Sequence, residues 1–210
     1  MPELDQRAGL LAVRTVVLAT GNQDKVRELR RLFGSLPVDR VVAASDLGPV
    51  PEVIEDGETL AENALKKARE FAAAIGEICV ADDTGLEVDA LGGAPGIHAA
   101  RYAGPDATYE DNCRKLQAAL VGVKDRGARF RTVMAVVDPA TGFSKTVDGV
   151  LEGLILEEPR GDRGFGYDPL FFVPAAGLGL AEMSIEEKNE ISHRACAARA
   201  MVGVLQEYLD

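Results

Sequence analysis

The N-terminal part of the chain constrains the fold most, because its hydrophobic period changes twice within a short span. Residues 15–19 are an apolar, β-branched run with the length of one buried strand. The run ends at the turn signature Thr-Gly-Asn of residues 20–22. Apolar side chains then recur at helical spacing over residues 24–33, and a second short strand is predicted at residues 40–43. This β-loop-α-β opening is typical of an α/β protein.

The other predicted elements follow from the same periods and from helix caps. Thr59 and Glu62 have the spacing of a capping box, and so do Ser184 and Glu187 ahead of an alanine-rich run that ends near Leu209. The resulting predictions are helices at 60–75, at 109–120 and from 185 to 209, strands at 78–81, 129–137 and 145–156, and a loop at 92–96. The last two strands form an antiparallel hairpin. The predicted fold class is α/β, with a mixed β-sheet flanked by helices.

Length and composition indicate one folded domain. The chain has 210 residues, against about 150 residues for a typical domain, and it contains no repeat, low-complexity tract or Pro/Ser-rich linker. We expect residues 14–210 to form a single domain and residues 1–13 to be a loose N-terminal extension.

Charge and hydropathy disfavour several classes of partner. The 23 Lys and Arg residues against 34 Asp and Glu residues give a formal net charge of −11, which repels a nucleic-acid backbone. No segment approaches the eighteen or so unbroken apolar residues of a membrane span, and the acidic start at residues 1–5 does not suit a secretory signal. We therefore expect a cytoplasmic protein with no membrane or nucleic-acid partner. Cys79, Cys113 and Cys196 lie far apart and are interpreted as small buried hydrophobes.

The densest chemical signal is a pair of carboxylates, Asp82 and Asp83, placed directly after the predicted strand at 78–81. Ligands of α/β sheets commonly lie beyond the carboxyl ends of strands, and such a pair can hold Mg²⁺ or activate a water molecule. If the strand continued, the two side chains would face opposite sides. A solvated turn capped by Asp is the structural alternative.

A second acidic cluster, residues 55–58, precedes the helix predicted at 60–75. Carboxylates near a helix N-terminus are favoured by the helix dipole alone. Glu55 paired with Asp83 would, however, suit Mg²⁺, which is usually held by one or two carboxylates together with substrate phosphates.

A strand-to-helix turn at residues 20–25 can bind phosphate through free backbone N–H groups and the Lys25 ammonium. It lacks the P-loop and dinucleotide-binding glycine patterns, which occur nowhere in the chain. A simple helix start explains the turn equally well.

A glycine-rich loop at residues 161–169 carries Phe165, Tyr167 and Asp168, and aromatic side chains on such a loop can stack on a base. A loop that packs its own aromatic residues is the structural alternative. Polar residues near the start of the last helix, Lys188, His193 and Arg194, are further candidates, although a lone histidine is more often structural.

Taken together, these residues resemble the inosine/xanthosine triphosphate pyrophosphatase family, which converts non-standard purine nucleoside triphosphates into the monophosphate and pyrophosphate. The segments that carry the resemblance lie in the family's order, at residues 17–25, 62–67, 81–86, 91–102, 165–169 and 191–194. They span most of the chain, from about residue 15 onward.

The resemblance implies a role for each matching residue. Asp83 takes the place of the proton acceptor and of a Mg²⁺ ligand, and Glu55 that of the other metal carboxylate. Substrate contacts are implied for Thr20, Gly21, Asn22, Gln23, Asp24, Lys25, Lys67, Thr84, Phe165, Gly166, Tyr167, Asp168, Lys188, His193 and Arg194. Thr84 departs from the serine that is common in bacterial members. The resemblance also implies two lobes around a central nucleotide-binding cleft, and a homodimer.

The sequence is also compatible with three alternatives. A non-catalytic nucleotide-binding regulator would use the glycine loops and lysines without the acid pair. A related pyrophosphatase of the septum-inhibition type would act on pyrimidine or modified nucleotides. A small RNA-binding domain is disfavoured by the net charge of −11.

Overall fold

The computed structural model describes residues 14–34, 36, 38–49 and 51–210, so the N-terminal extension predicted at 1–13 lies outside the described residues. The helices of this part of the chain are α1 (Gln23–Leu32), α2 (Leu60–Ile75), α3 (Tyr109–Ala119), α4 (Ile185–Ile191) and α5 (His193–Leu209). The strands are β1 (Thr15–Leu18), β2 (Arg40–Ala43), β3 (Ile78–Val88), β4 (Pro95–Gly96), β5 (Gly127–Val137), β6 (Ser144–Ile155), β7 (Phe171–Val173) and β8 (Leu178–Gly179).

All of these strands belong to one mixed sheet, in the order β2-β1-β3-β5-β6-β7-β8, with β4 paired to β3. The pairs β1–β2 and β1–β3 are parallel, whereas β3–β5 and β5–β6 are antiparallel. The predicted α/β class with a mixed sheet is therefore confirmed.

The helices begin at N-cap hydrogen bonds, and some of these caps can be predicted from the sequence. The Asn22 side chain accepts from the backbone N–H groups of Asp24 and Lys25, which begins α1. Thr59 and Glu62 form the predicted capping box, and α2 spans the predicted residues 60–75. These caps fix where each helix leaves the sheet.

The buried hydrophobic residues form three clusters that lie at different places along the long central strands. Near the β1 end of the sheet, α1 and α5 cover one face through residues such as Leu29 and Met201, and α2 covers the other through Ala64 and Phe71. At the opposite end of β3 and β5, α3 packs with β7 around a third cluster that includes Leu116. The core thus consists of two lobes that share β3, β5 and β6.

Strand β3 is longer than predicted, which corrects the placement of the acidic pair. Asp82 and Asp83 lie inside the strand and pair in register with Met134 and Val133 of β5. Pairing with β5 extends the strand beyond the apolar run, and side chains of the neighbouring helices contact both carboxylates. Side chains alternate along a strand, so Asp82 faces α1 and α5 while Asp83 faces α2.

Two further boundaries differ from the predictions. Pro95–Gly96, expected to be loop, forms a two-residue strand against β3. The C-terminal helix is broken at Ser192, whose extended backbone ends α4 while its side chain caps α5. Of the cysteines, Cys79 is buried as predicted, but Cys113 and Cys196 are only half-buried. Within the described residues, no helix is long and apolar enough to cross a membrane.

Candidate functional site

A cavity of about 390 Å³ lies between the two lobes, at the C-terminal end of β1 and along the middle of β3. The predicted site residues that line it are Thr20, Gly21, Asn22, Lys25, Glu55, Lys67, Asp83, Thr84, Phe165, Gly166, Tyr167, Asp168, Lys188, His193 and Arg194. Gln23 and Asp24, also predicted to contact substrate, are not among its lining residues, although Lys25 in the same first turn of α1 is. The fold therefore brings residues from distant parts of the sequence to one space.

Three charged groups meet at the acidic end of the cavity. The Lys67 ammonium on α2 lies 3.1 Å from a Glu55 carboxylate oxygen and 3.4 Å from Oδ1 of Asp83. Asn63, one helical turn earlier, donates to Oδ2 of Asp83 across 3.2 Å. The carboxylate of Asp83 is thus held from two directions by one helix.

Burial and the neighbouring cations shift the pKa of Asp83 in opposite directions. Burial raises the pKa of Asp83 above its ordinary value, although Lys67 and Lys25 oppose that effect. For Lys67, burial favours the neutral amine, but Asp83 and Glu55 outweigh it and the pKa lies above its ordinary value. Lys67 is accordingly a cation at neutral pH.

On the other face of β3, the carboxylate of Asp82 serves as a counter-ion. Its Oδ2 lies 2.9 Å from the Lys25 ammonium and 3.3 Å from Nε of Arg194. Burial alone would raise the pKa of Asp82, but these cations hold it well below its ordinary value. Asp82 therefore links α1 to α5 on one face of the sheet and keeps both cations beside the cavity.

The turn between β1 and α1 is preorganised by its own side chains. Thr20 Oγ1 accepts from the Asn22 N–H across 3.2 Å, and Asn22 Oδ1 accepts from the N–H groups of Asp24 and Lys25. From the opposite lobe, the Tyr109 hydroxyl accepts from Nδ2 of Asn22 at 3.3 Å and donates to Asp24 at 3.4 Å. The turn presents a helix N-terminus and a lysine to the cavity, a combination that suits an anion.

The glycine-rich loop folds around Asp168. Its buried carboxylate accepts from the Phe165 N–H at 2.9 Å and from Lys188 at 2.6 Å. Gly164 has φ of +74°, and a side chain there would collide with the Asp168 carboxylate. This closed turn holds Phe165 at the cavity wall.

Two cations flank the Phe165 ring. Lys188 Nζ lies 5.0 Å from the ring centroid and Arg194 Cζ lies 5.4 Å from it. Both are tied to Glu28 of α1, which accepts from Lys188 at 2.9 Å and from Arg194 at 2.7 Å. Such an aromatic and cationic wall can stack on and hydrogen-bond a planar, oxygen-rich ring.

His193 closes the same end of the cavity as a neutral aromatic. Its ring stacks on Phe130, with centroids 4.5 Å apart and planes inclined by 17°. Burial and then the neighbouring Arg194 and Lys188 hold its pKa well below the ordinary value. Nδ1 of His193 is buried and has no partner within the described part of the chain.

The sequence predicts no role for four residues around the cavity: Glu28, Asn63, Tyr109 and Phe130. Glu28 gave a usable signal, since it lies three residues after Lys25 and next to Leu29 on the inward face of α1. Asn63 lies in the segment 62–67 that carries the resemblance, but its contacts, like those of Tyr109 and Phe130, depend on elements that meet only in the fold.

The carboxylate chemistry fits Mg²⁺ held jointly with phosphates. Glu55 and Asp83 converge on the Lys67 ammonium, while the described residues contain no group of three or more His, Cys, Asp or Glu side chains that could hold a metal alone. Two carboxylates plus phosphate oxygens are the usual ligands of this ion.

Comparisons with known proteins find relatives that match most of the chain. A dITP/XTP pyrophosphatase from Syntrophobacter fumaroxidans is 51% identical over 193 residues, which cover 92% of this chain and 81% of that protein. The Ham1 protein of Staphylococcus aureus has 38% identity and a TM-score of 0.82, covering 93% of this chain and 100% of that one. A HAM1 protein from Coxiella burnetii has 39% identity and a TM-score of 0.83, and the match covers 92% of this chain and 99% of that one. The model of the Ham1 family matches residues 16–204, and the chain belongs to that family.

Proposed function

We propose that the chain hydrolyses non-standard purine nucleoside triphosphates, namely dITP, ITP and XTP, to the monophosphate and pyrophosphate. One observation carries the proposal: a carboxylate pair around Lys67 and a cation-flanked aromatic ring share a single cavity. Relatives that carry the name dITP/XTP pyrophosphatase support the same substrates.

The chemistry of the cavity suggests how a nucleotide lies in it. The purine would stack on Phe165 beside Lys188 and Arg194, because that end is aromatic and donor-rich. The triphosphate would lie toward the turn at residues 20–25 and toward Lys67, where backbone N–H groups and two ammonium groups offset its charge.

Hydrolysis requires a water molecule in line with the bond that breaks, a base for its proton and positive charge near the leaving group. The bond from the α-phosphorus to its bridging oxygen breaks, the water oxygen bonds to that phosphorus, and pyrophosphate leaves. Asp83 would orient this water and accept its proton, since its carboxylate faces the cavity and is held by Asn63 and Lys67.

Mg²⁺ is the proposed cofactor, held by Glu55, Asp83 and substrate phosphates, and when bound it would polarise those phosphates. Lys25 and Lys67 would hold the phosphate chain as point charges. Their buried partners, Asp82 and Asp83, keep both ammonium groups at the cavity.

Base selectivity would depend on the oxygen at C6 of hypoxanthine and xanthine. Adenine carries an amino donor there, so protein donors aimed at the oxygen would be left unpaired. Arg194 is one candidate donor, and the backbone N–H groups near Asp168 are others. All three guanidinium nitrogens of Arg194 bond to Asp82, Glu28 or Thr84, which would hold it rigidly in place. Guanine shares the C6 oxygen, so its 2-amino group would cause its exclusion.

We further propose that the protein acts in the cytoplasm and that it forms a homodimer, of which the homodimer is implied by the resemblance. Sedimentation velocity of the full chain measures the oligomeric state directly. A single monomeric species at micromolar concentration would contradict the dimer.

A nucleotide panel tests the function. Purified protein is incubated with ITP, dITP, XTP, GTP, ATP and dTTP, with and without Mg²⁺, and monophosphate and pyrophosphate are measured. We expect metal-dependent pyrophosphate from the first three nucleotides. Equal rates on ATP and ITP would contradict the C6 account, and preference for dTTP would instead favour the pyrimidine-type alternative.

Asp83→Asn separates hydrolysis from binding. The variant should stay folded and bind nucleotide, yet lose about 10²- to 10⁴-fold in turnover, the usual contribution of a positioned base. Near-normal turnover in folded Asp83→Asn would remove this residue from the mechanism. Nucleotide binding without product from wild-type protein would indicate a regulator instead.

A further inference from the structure

We propose that Asn63 is a positioning residue that fixes the Asp83 carboxylate and the loop that carries Glu55 in one geometry. The catalytic part of this inference rests on the proposed function, whereas the structural part can be measured independently.

Both the oxygen and the nitrogen of the Asn63 side-chain amide form hydrogen bonds. Asn63 is 1% exposed, its Oδ1 accepts from the Gly57 N–H at 2.8 Å, and its Nδ2 donates to Oδ2 of Asp83 at 3.2 Å. A backbone N–H can only donate and an ionised carboxylate can only accept, so just one orientation of the amide satisfies both partners. The side chain thus links the loop before α2 to the middle of β3.

Gly57 shows how closely the loop approaches Asn63. A Cβ atom at this position would lie 2.7 Å from Oδ1 of Asn63 and 2.8 Å from Cβ of Glu62. The loop can therefore rest on α2 only because residue 57 lacks a side chain. On its other side, the loop is held by the capping box of Thr59 and Glu62.

The anchor matters because Glu55 lies only two residues before Gly57. Glu55 and Asp83 both contact the Lys67 ammonium, so fixing Gly57 against Asn63 limits the distance between the two carboxylates. Asn63 is not among the lining residues of the cavity and lies behind Asp83. It should influence catalysis by positioning, without touching the nucleotide.

Two substitutions separate the two ends of the amide. Asn63→Asp keeps an acceptor for the Gly57 N–H but removes the donor to Asp83. Asn63→Leu removes both contacts at similar volume. Gly57→Ala disturbs the same contact from the side of the loop, since the added Cβ would lie 2.7 Å from Oδ1 of Asn63. Asp138→Asn is a matched control, because Asp138 is also buried, accepts from Ala140 N–H and the Tyr208 hydroxyl, and lies outside the cavity lining.

Steady-state pyrophosphate release from dITP with Mg²⁺ gives kcat and KM for each variant. We expect both Asn63 variants to lose at least about tenfold in kcat, since small displacements of reacting groups cost up to about 10²-fold, with KM within about threefold. Gly57→Ala should lower kcat in the same way. Asp138→Asn should lower the melting temperature without changing kcat, which separates positioning from general loss of stability.

Hydrogen exchange of the peptide covering residues 55–59 tests the anchor without any turnover. Exchange at Gly57 should accelerate in Asn63→Leu and stay near wild type in Asn63→Asp, because only the first loses the acceptor. Unchanged exchange in Asn63→Leu, or wild-type kcat in both folded Asn63 variants, would overturn the proposal. If wild-type protein released no pyrophosphate from dITP, the proposed function would fail, and the exchange data would still decide whether Asn63 anchors the loop.

Discussion

Lys25 Nζ lies 2.9 Å from Oδ2 of Asp82, inside the protein and on the opposite face of β3 from Asp83. Two neighbouring carboxylates therefore have different surroundings, since the first is surrounded by cations and the second lines the cavity. The alternation of side chains along a strand places Asp82 between Lys25 and Arg194 and places Asp83 at the cavity, where we propose that it acts on the attacking water.

We expect Asp82→Asn to lower the free energy of unfolding by about 3–5 kcal/mol, because it leaves Lys25 and Arg194 buried without their shared counter-ion. Asp83→Asn is the control and should cost much less, since burial already disfavours the charged form of Asp83. Urea unfolding of both variants measures the difference. Equal loss of stability in the two variants would contradict these separate roles.

Glu28→Gln should weaken nucleotide binding, because Glu28 holds the two cations, Lys188 and Arg194, that flank the Phe165 ring. Glu28 is the shared carboxylate of Lys188 and Arg194, and without its charge the two cations lose their common anchor beside the ring. We expect KM for dITP to rise by about tenfold or more, corresponding to about 1.4 kcal/mol or more of binding, with a smaller change in kcat.

The matched control for Glu28 is Glu186→Gln. Glu186 pairs with Arg31 at 2.7 Å on the surface, where such pairs contribute about 0–1 kcal/mol. Kinetics of Glu186→Gln should match wild type. A Glu28→Gln variant with the same KM as the control would show that the wall does not depend on α1.

Local signals in the sequence predicted much of the fold, because caps and periodicity act over a few residues. The capping box at Thr59 placed α2 at residues 60–75, and the β-branched runs placed β1 and β2. The length of β3 escaped prediction, because the ladder through Asp82 and Asp83 depends on pairing with β5, about fifty residues later. The hydrophobic pattern of residues 78–81 gives no information about the pairing with β5.

The cavity shows the same division. Residues in recognisable segments, such as Asp83 and Phe165, were predicted and line the cavity. No role was predicted for Glu28, because on a helix it is one polar side chain among several, or for Asn63, although Asn63 lies in the segment 62–67 that carries the resemblance. Their positions depend on partners 160 and 20 residues away, Lys188 and Asp83.

Stability should fall as the pH drops below the ordinary range of carboxylate titration. Burial raises the pKa of Glu28, but Arg194 and Lys188 outweigh it, so the folded-state pKa lies below the ordinary 4.5. A lowered pKa means that the stabilisation is complete above about pH 4.5 and is lost as the pH falls through the folded-state value. The pKa of Asp82 is also lowered, from an ordinary value of 3.8, so its protonation at still lower pH reduces the stability of the fold further. Urea unfolding between pH 3 and pH 7 checks this, and Glu28→Gln should flatten the curve; an unchanged slope in that variant would contradict the assignment.

Tyr109 is the point where α3 reaches across the cavity mouth to the turn that begins α1. Its hydroxyl bonds Asn22 and Asp24 at 3.3 and 3.4 Å, and its ring centroid lies 6.0 Å from that of Phe165. Tyr109→Phe keeps the ring and removes the hydroxyl, so we expect KM for dITP to rise by about two- to tenfold, the range of a net hydrogen bond of about 0.5–1.5 kcal/mol.

Tyr109→Ala removes the ring as well and should raise KM further. Both variants should unfold at nearly the wild-type urea concentration, because Tyr109 is 44% exposed and substitutions at exposed positions usually change stability by about 0.5 kcal/mol or less. Steady-state kinetics on dITP with urea unfolding of the same preparations measures both effects. If Tyr109→Phe lost kcat with KM unchanged, the hydroxyl would act on the reaction step and not on nucleotide binding.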